Sequence, residues 1–372
     1  MGRYILMNKN TEMAEVQVQG DEVTIIKEFI QFPTYLKDNH KWLVGRLSMC
    51  SRANLLEIAK LLCIEDKEDF VNVSKAISVT DTLWLNREDK PTTWDKVNPY
   101  KNRLSLILAN LALNGGKVDN TKNIKTPSPQ YLLDGSAEKC VKRINHDIYM
   151  YKTCGEKWSD LAGCRPYSEY YASSIMRKLN MSRFVEYDVI EKTTESGHIK
   201  PYSTCKIFTD ENNGLIQIGD TKFSSMTTDE LKNKLPKKIA IQLMNMAVID
   251  SIILNCDRHT GNYGFIIDNN TLRIKAVAPI YDNDCSLGSL ISLQYKSLEE
   301  AYEETARRQP RFGEGGYNGI ARWGMTRDML NRLKSVGYIK LERKFKGLSE
   351  KRMKFMEYIV NRRIKEILDM FE

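Results

Sequence analysis

Residues 254–265 read LNCDRHTGNYGF, and the dipeptide Tyr281-Asp282 follows a short distance later. Asn262 stands five positions after Asp257. Phosphoryl transfer with magnesium needs a carboxylate that orients a hydroxyl nucleophile, together with amide and carboxylate oxygens that hold the metal. Protein-kinase catalytic loops have the same Asp-to-Asn spacing. The pattern therefore predicts ATP-dependent phosphoryl transfer.

The chain between these two pieces predicts a hairpin over Gly264–Ile274 that turns at Asn269-Asn270. Its return should bring Asp282 beside Asn262, next to Asp257. Two oxygen ligands at that point would suit a hard cation such as Mg²⁺.

Two further polar residues accompany the motif. His259 could hold the loop by a side-chain hydrogen bond or contact the reacting phosphate. We favour the first role and keep His259 with Asp257 among the candidate catalytic residues. Asp284 could add a ligand, but a solvent-facing turn residue is the preferred interpretation.

Composition indicates a folded protein without a membrane span. The 372 residues are 42% hydrophobic and 28% charged, which is ordinary for globular proteins. No stretch approaches the ~18 apolar residues of a membrane helix, and the start is not typical of a secretory signal. The eight cysteines form no C-x-x-C pair, which favours reduced thiols over zinc ligands. We therefore expect a cytoplasmic protein.

The net charge of +8 is concentrated near the C-terminus. Residues 301–372 contain 17 Lys and Arg against 10 Asp and Glu. The runs Arg343–Lys346 and Arg362–Lys365 could face nucleic acid or another acidic partner. A solvated helical face is the preferred alternative, since the basic residues alternate with apolar ones at helical spacing.

Periodicity divides the chain into three parts. Residues 1–120 predict a separate N-terminal module that could dock a substrate or brace its neighbour. Residues 121–210 predict a small mixed β lobe, and residues 211–372 a larger helical lobe. The expected fold class is therefore α+β, with a bilobal, protein-kinase-like arrangement and an extra N-terminal module.

Four elements support this division. Helical spacing covers Arg52–Leu62 and Arg103–Leu113, and a longer helix is predicted over Pro236–Leu254. A hairpin is predicted at Asn145-His146, between two β-rich segments.

Residues 134–139 read DGSAEK and lead into the first strand of that hairpin. The glycine lets backbone N–H groups approach a phosphate, and Lys139 supplies positive charge. An ordinary surface turn is the alternative for this short motif.

A strand lysine and a helix glutamate complete the pattern. Strand alternation puts Lys152 on the face of Ile148 and Met150, where an ammonium group needs a partner. Glu169 lies in the first turn of the next predicted helix. A lysine of this kind paired with such a glutamate positions the nucleotide in kinases. The alternatives are a strand-end lysine and a glutamate that complements the helix dipole.

These motifs resemble those of HipA-like serine/threonine kinases, bacterial enzymes distantly related to the phosphatidylinositol 3/4-kinase fold. The resemblance covers about residues 130–290 and is carried by GSAEK at 135–139, YK at 151–152, SEYY at 168–171, NCDRHTGN at 255–262 and PIYD at 279–282. The last two motifs are the most specific.

The resemblance implies a kinase that uses ATP and Mg²⁺. Asp257 would be the catalytic carboxylate, and Asn262 and Asp282 would be the metal ligands. Lys152 would bind the α- and β-phosphates, with Glu169 as its partner.

It also implies two further nucleotide contacts. A loop containing Gly135, Ser136 and Ala137 would cover the phosphates with Lys139, and the segment Lys206-Ile207-Phe208 would contact adenine. The N-terminal module does not resemble that of full-length toxin kinases, so a toxin–antitoxin role does not carry over.

The leading prediction is a kinase that acts on Ser or Thr, either of another protein or of its own chain, and no particular protein substrate is indicated. The alternatives are a lipid or small-molecule kinase and a non-catalytic nucleotide-binding regulator.

Overall fold

The computed structural model describes residues 2–36, 38–48, 52–116, 127–133, 135–154 and 164–372. Within these ranges the chain forms a mixed α/β structure with twelve α-helices and antiparallel strand pairs. The predicted α+β class is confirmed.

The strands are β1 Gly2–Asn8, β2 Thr11–Gln19, β3 Glu22–Glu28, β4 Leu83–Arg87, β5 Glu138–Ile144, β6 Asp147–Thr153, β7 Asp188–Thr193, β8 Ile199–Lys206, β9 Asn213–Gln217, β10 Gly264–Asp268 and β11 Ile274–Val277. The helices are α1 Asn39–Arg46, α2 Ala53–Leu61, α3 Lys67–Ser74, α4 Trp94–Val97, α5 Leu106–Asn114, α6 Arg165–Lys178, α7 Thr228–Lys234, α8 Lys237–Ile253, α9 Leu298–Ala306, α10 Gly316–Gly324, α11 Arg327–Val336 and α12 Glu350–Asp369.

The chain forms two compact units that interleave in sequence. Unit 1 comprises Met1–Lys152, Lys206–Phe223 and Phe265–Lys275. Unit 2 comprises Thr153–Cys205, Ser224–Gly264 and Ala276–Glu372. The three-part division at residues 120 and 210 stays a prediction.

Unit 1 begins with a four-stranded antiparallel sheet in the order β3-β2-β1-β4. Strand β2 alternates buried Ala14, Val16 and Val18 with more exposed residues, so one face of the sheet is apolar. Leu43 of α1 and Val71 of α3 join these residues in a buried cluster. The first three strands were not predicted from the sequence.

The rest of unit 1 contains elements that were predicted. Helices α2 and α5 confirm the two helical segments of the N-terminal module, and the β5–β6 hairpin turns at Asn145, whose φ is +55°. Val141 and Ile148 from this hairpin pack with Val79 and Leu133 in a second apolar cluster.

The long helix predicted in unit 2 is confirmed as α8. Its buried residues surround most of the helix because α10 and α12 both pack against it. A Cβ on Gly324 would come within 2.4 Å of the carbonyl oxygen of Met244. Only glycine therefore allows α10 to approach α8 this closely.

The basic C-terminal residues make many internal contacts. Arg362 forms ion pairs with Glu299, Glu303 and Glu366. Arg363 is buried and donates hydrogen bonds to the backbone and hydroxyl of Ser251. These internal contacts engage Arg362 and Arg363, and the burial of Arg363 departs from the solvated helical face that we preferred for the run Arg362–Lys365.

Across the described ranges, no helix combines the length and the apolar character that crossing a lipid bilayer requires. Among the described residues, free cysteines are Cys63, Cys140, Cys154, Cys164, Cys205, Cys256 and Cys285.

Candidate functional site

The Asp257 loop begins where α8 ends. Leu254 adopts a left-handed conformation with φ +50° and reverses the chain direction. The Asn255 side chain then donates to Asp250 Oδ1 at 3.1 Å and accepts from the backbone N–H of Asp257 at 3.0 Å. Asn255 thus fixes the backbone of the candidate catalytic residue to the end of α8.

A buried arginine connects the two halves of the motif. The Arg258 guanidinium forms a two-point ion pair with Asp250, at 2.9 and 2.8 Å. It donates to the backbone oxygen of Asn262 at 2.8 Å and to the backbone oxygen of Tyr281. A further bond runs to Asn283 Oδ1 at 2.6 Å. Arg258 therefore holds the Asp257 loop against the segment that carries Asp282.

This arginine has no access to solvent. Burial alone would lower the pKa of Arg258, but the Asp250 carboxylate opposes this through its charge and hydrogen bonds and raises the pKa above its usual value. The guanidinium consequently stays charged and satisfies several carbonyl groups at once. No role was predicted for Arg258 or Asp250, because an arginine within a loop motif gives no sign of burial.

The side-chain amide of Asn262 is held at its donor end. Its Nδ2 donates to the backbone oxygen of Asp257 at 2.9 Å, so the donor end of the amide is engaged. The acceptor end, Oδ1, is the atom that can bind a cation.

Asp282 occupies a constrained position. Its φ is +54°, a conformation that few residues except Gly, Asn and Asp adopt readily. Its N–H donates to the Tyr187 hydroxyl at 3.1 Å, and the neighbouring Tyr281 hydroxyl donates to the Gly261 oxygen at 3.0 Å. The second bond attaches Tyr281, the residue before Asp282, to Gly261, the residue before Asn262.

His259 stabilises the loop from within. Its Nδ1 accepts the N–H of Gly261 at 3.0 Å, so Nδ1 is an unprotonated acceptor in this arrangement. The loop-holding interaction that we favoured from the sequence is therefore present.

Asp284 does not face solvent, contrary to the expectation for a turn residue. Only 7% of the residue is exposed, and its Oδ2 lies 3.9 Å from Nη1 of Arg165, the first residue of α6. The turn is covered by packed chain within unit 2, which the sequence pattern did not reveal.

The predicted phosphate loop lies in unit 1. Gly135 has φ +94°, and a Cβ at this position would lie 2.7 Å from Lys139 Nζ. The lysine thus folds back over the glycine turn, and the positive φ favours glycine at this position. Ser136 is exposed, and Asp134 lies outside the described residues.

Helix α2 and the residue before it contact this loop. Arg52 donates to the backbone oxygens of Ala137 and Lys139, both at 3.1 Å. Asn54 donates to Glu138 at 2.7 Å. The N-terminal part of unit 1 therefore braces the predicted phosphate loop.

The remaining candidates divide between the units. In unit 1, Lys152 is 9% exposed near the end of β6, the Ile207 N–H donates to the Ile148 oxygen at 3.0 Å, and Lys206 pairs with Asp147 at the surface. Phe208 is partly buried in the same unit.

Glu169 lies in unit 2. It is almost fully buried on α6 and accepts a hydrogen bond from the Ser203 hydroxyl. The ion pair between Lys152 and Glu169 stays a prediction.

Magnesium fits the donor set around Asn262 and Asp282. The described part of the chain contains no cluster of three or more His, Cys, Asp and Glu residues that could hold a metal. Mg²⁺, however, usually takes one or two protein oxygens together with waters and substrate phosphates. A single carboxylate and a single amide oxygen therefore suit it.

The sequence and the fold were compared with those of known proteins. No protein-family model matches the sequence, and no curated protein matches it either. Among solved structures, the chain is similar to the Helicobacter pylori proinflammatory kinase CtkA with a TM-score of 0.42 and 17% identity, over 64% of this chain and 90% of that one. Likeness at this level is too distant to guide the assignment of residues.

Proposed function

We propose that this protein is an ATP- and Mg²⁺-dependent kinase that transfers the γ-phosphate to a hydroxyl group of a protein serine or threonine. The observation that carries the proposal is the Arg258 network. It joins the backbone of the loop that carries Asp257 and Asn262 to the segment that carries Asp282, which supports a shared site for the two carboxylates and the amide.

In this proposal Asp257 accepts a hydrogen bond from the substrate hydroxyl. That contact orients the oxygen toward phosphorus, and the carboxylate receives the proton as the new O–P bond forms. About one third of its side chain is exposed, so a substrate can reach it. Asn262 and Asp282 hold the metal, and His259 keeps the loop in shape.

ATP supplies the transferred phosphoryl group, and Mg²⁺ neutralises its developing charge. For the nucleotide we retain the assignment from the sequence. Lys152 binds phosphates with Glu169 as its partner, Lys139 and the Gly135 loop cover them, and residues 206–208 contact adenine. Membership of the HipA-like family is part of this proposal.

A transfer assay tests the function. Purified protein is incubated with labelled ATP, Mg²⁺ and casein, beside an Asp257→Ala variant. We expect the wild-type reaction to label casein or the protein itself, and the Asp257→Ala reaction to label neither. ATP binding without any labelled protein would favour a lipid or small-molecule kinase, and the absence of ATP binding would contradict the kinase assignment.

We expect the brace on the phosphate loop to affect nucleotide binding. Arg52→Met keeps the apolar stem but removes both bonds to the loop, so KM for ATP should rise about tenfold, as for the loss of a charge-assisted hydrogen bond. Steady-state kinetics with varied ATP measures this. Arg103→Met is the matched control, since Arg103 is exposed. Equal KM values for the two variants would show that the brace has no role in ATP binding.

A further inference from the structure

The guanidinium group of Arg311 forms an ion pair with the candidate catalytic carboxylate of Asp257. Nη1 of Arg311 is 3.0 Å from Oδ1 of Asp257. The two side chains are 63% and 32% exposed, so solvent reaches this ion pair. Solvent-accessible ion pairs of this kind contribute little to stability, and the arginine can therefore exchange its partner at little cost.

The position of Arg311 is nevertheless fixed by its neighbour. Phe312 is buried, and its ring makes edge contacts with two other rings. The ring centroid of Phe312 lies 5.3 Å from that of Tyr263 and 5.7 Å from that of Trp323. Tyr263 directly follows Asn262, and the Trp323 indole donates to Asp229 at 3.1 Å. The aromatic contacts thus hold the backbone of Arg311 beside the Asp257 loop.

Glycines after Phe312 fix the path of the chain. Gly313 and Gly315 have φ values of +72° and +71°, which favour glycine. A Cβ on Gly313 would come within 2.7 Å of Ile320 Cγ2 on α10. The segment is therefore packed closely onto the following helix.

The charge of Arg311 also acts on the residue before Asp257. Burial raises the pKa of Cys256, and the positive charges of Arg308 and Arg311 act against that rise. This agrees with the position of Arg311 at the Asp257 carboxylate, with Nη1 3.0 Å from Oδ1.

We propose that Arg311 binds an anionic side chain that lies beside the acceptor hydroxyl, so that the kinase selects acidic peptides. A guanidinium binds carboxylate groups in a planar, two-point geometry. The acidic side chain takes the place of Asp257 as the partner of Arg311, and Asp257 is then available to the hydroxyl. This inference rests on the proposed kinase function and specifies its substrate class.

An acidic peptide fits this surface better than a lipid headgroup does. Binding at a membrane surface combines basic residues with apolar side chains that insert into the lipid. Phe312, the aromatic residue next to Arg311, is buried against Tyr263 and Trp323 instead. The segment therefore offers charge without an apolar anchor.

The test compares two peptides that share one serine and differ only in its flanking residues, Asp and Glu in one and Asn and Gln in the other. Full-length wild type, Arg311→Gln and Arg311→Lys are assayed with both peptides at saturating ATP. Arg327→Gln is the control, since Arg327 is exposed at the start of α11. A phosphoinositide vesicle assay is run in parallel.

For the wild type we expect kcat/KM to favour the acidic peptide by about tenfold, the effect of one charge-assisted hydrogen bond. Arg311→Gln should remove most of this preference through KM, Arg311→Lys should retain part of it, and Arg327→Gln should keep it. An unchanged preference in Arg311→Gln, or transfer to lipid alone, would overturn the inference. Autophosphorylation is measured in the same samples. Autophosphorylation without any preference for the acidic peptide would contradict only the inference about substrate class. If the protein showed neither autophosphorylation nor transfer to either peptide, the proposed kinase function would be contradicted as well.

Discussion

Asp282→Asn is expected to lower kcat by on the order of 10²–10³-fold, the usual effect of losing one electrostatic contact to a transition state. The substitution removes the negative charge but keeps the size of the side chain. Asparagine also tolerates the left-handed backbone at this position, where φ is +54°. The loss should therefore reflect weaker metal binding rather than a damaged fold.

Three measurements separate these causes. Thermal melting should place Asp282→Asn close to the wild type, and raising the Mg²⁺ concentration should restore part of its activity. Asp369→Asn provides the matched change at an exposed site near the end of α12 and should retain full turnover. An Asp282→Asn enzyme with wild-type kcat at limiting Mg²⁺ would contradict the metal assignment and favour a non-catalytic binder.

Local sequence signals were sufficient for several elements. The apolar period of 3.6 residues predicted α8, and Asn145-His146 between β-rich runs predicted the β5–β6 hairpin. Both are confirmed. These elements depend on interactions between residues close in the chain, which periodicity and turn chemistry record directly.

Strands β1–β3 were missed although β2 alternates in burial. Short strands acquire their stability from partners across the sheet. Here β1 also pairs with β4, about eighty residues away, and no local pattern records such a pairing.

The sequence indicated candidate residues for the site, but it did not indicate the residues that hold them in place. Asp257, Asn262 and Asp282 stand out because protein-kinase catalytic loops have the same Asp-to-Asn spacing. Their roles remain proposals. Arg258 and Asp250 went unnoticed because an ion pair between a loop and a helix depends on burial, and a single sequence gives no sign of burial for a charged residue.

Arg258→Met is expected to destabilise the protein by about 3–5 kcal/mol, because it leaves the Asp250 carboxylate buried without its cation. The carboxylate side chain is fully inaccessible, so water cannot replace the guanidinium. Chemical denaturation monitored by tryptophan fluorescence would measure the change. Arg177→Met is the matched control, because Arg177 and Glu186 pair with more than half of each side chain exposed. Its expected cost is about 0–1 kcal/mol.

A second substitution separates stability from function. In Arg258→Met/Asp250→Leu the pair's buried charges are both removed, so part of the lost stability should return. Activity should not return with it. The backbone oxygens of Asn262 and Tyr281 still lack the donor that joins them, and the metal ligands on either side lose their fixed spacing. If the double variant recovered stability and full turnover together, Arg258 would be only a stabilising residue, and the organisation of the site would have to come from the remaining bonds, such as Tyr281 to Gly261.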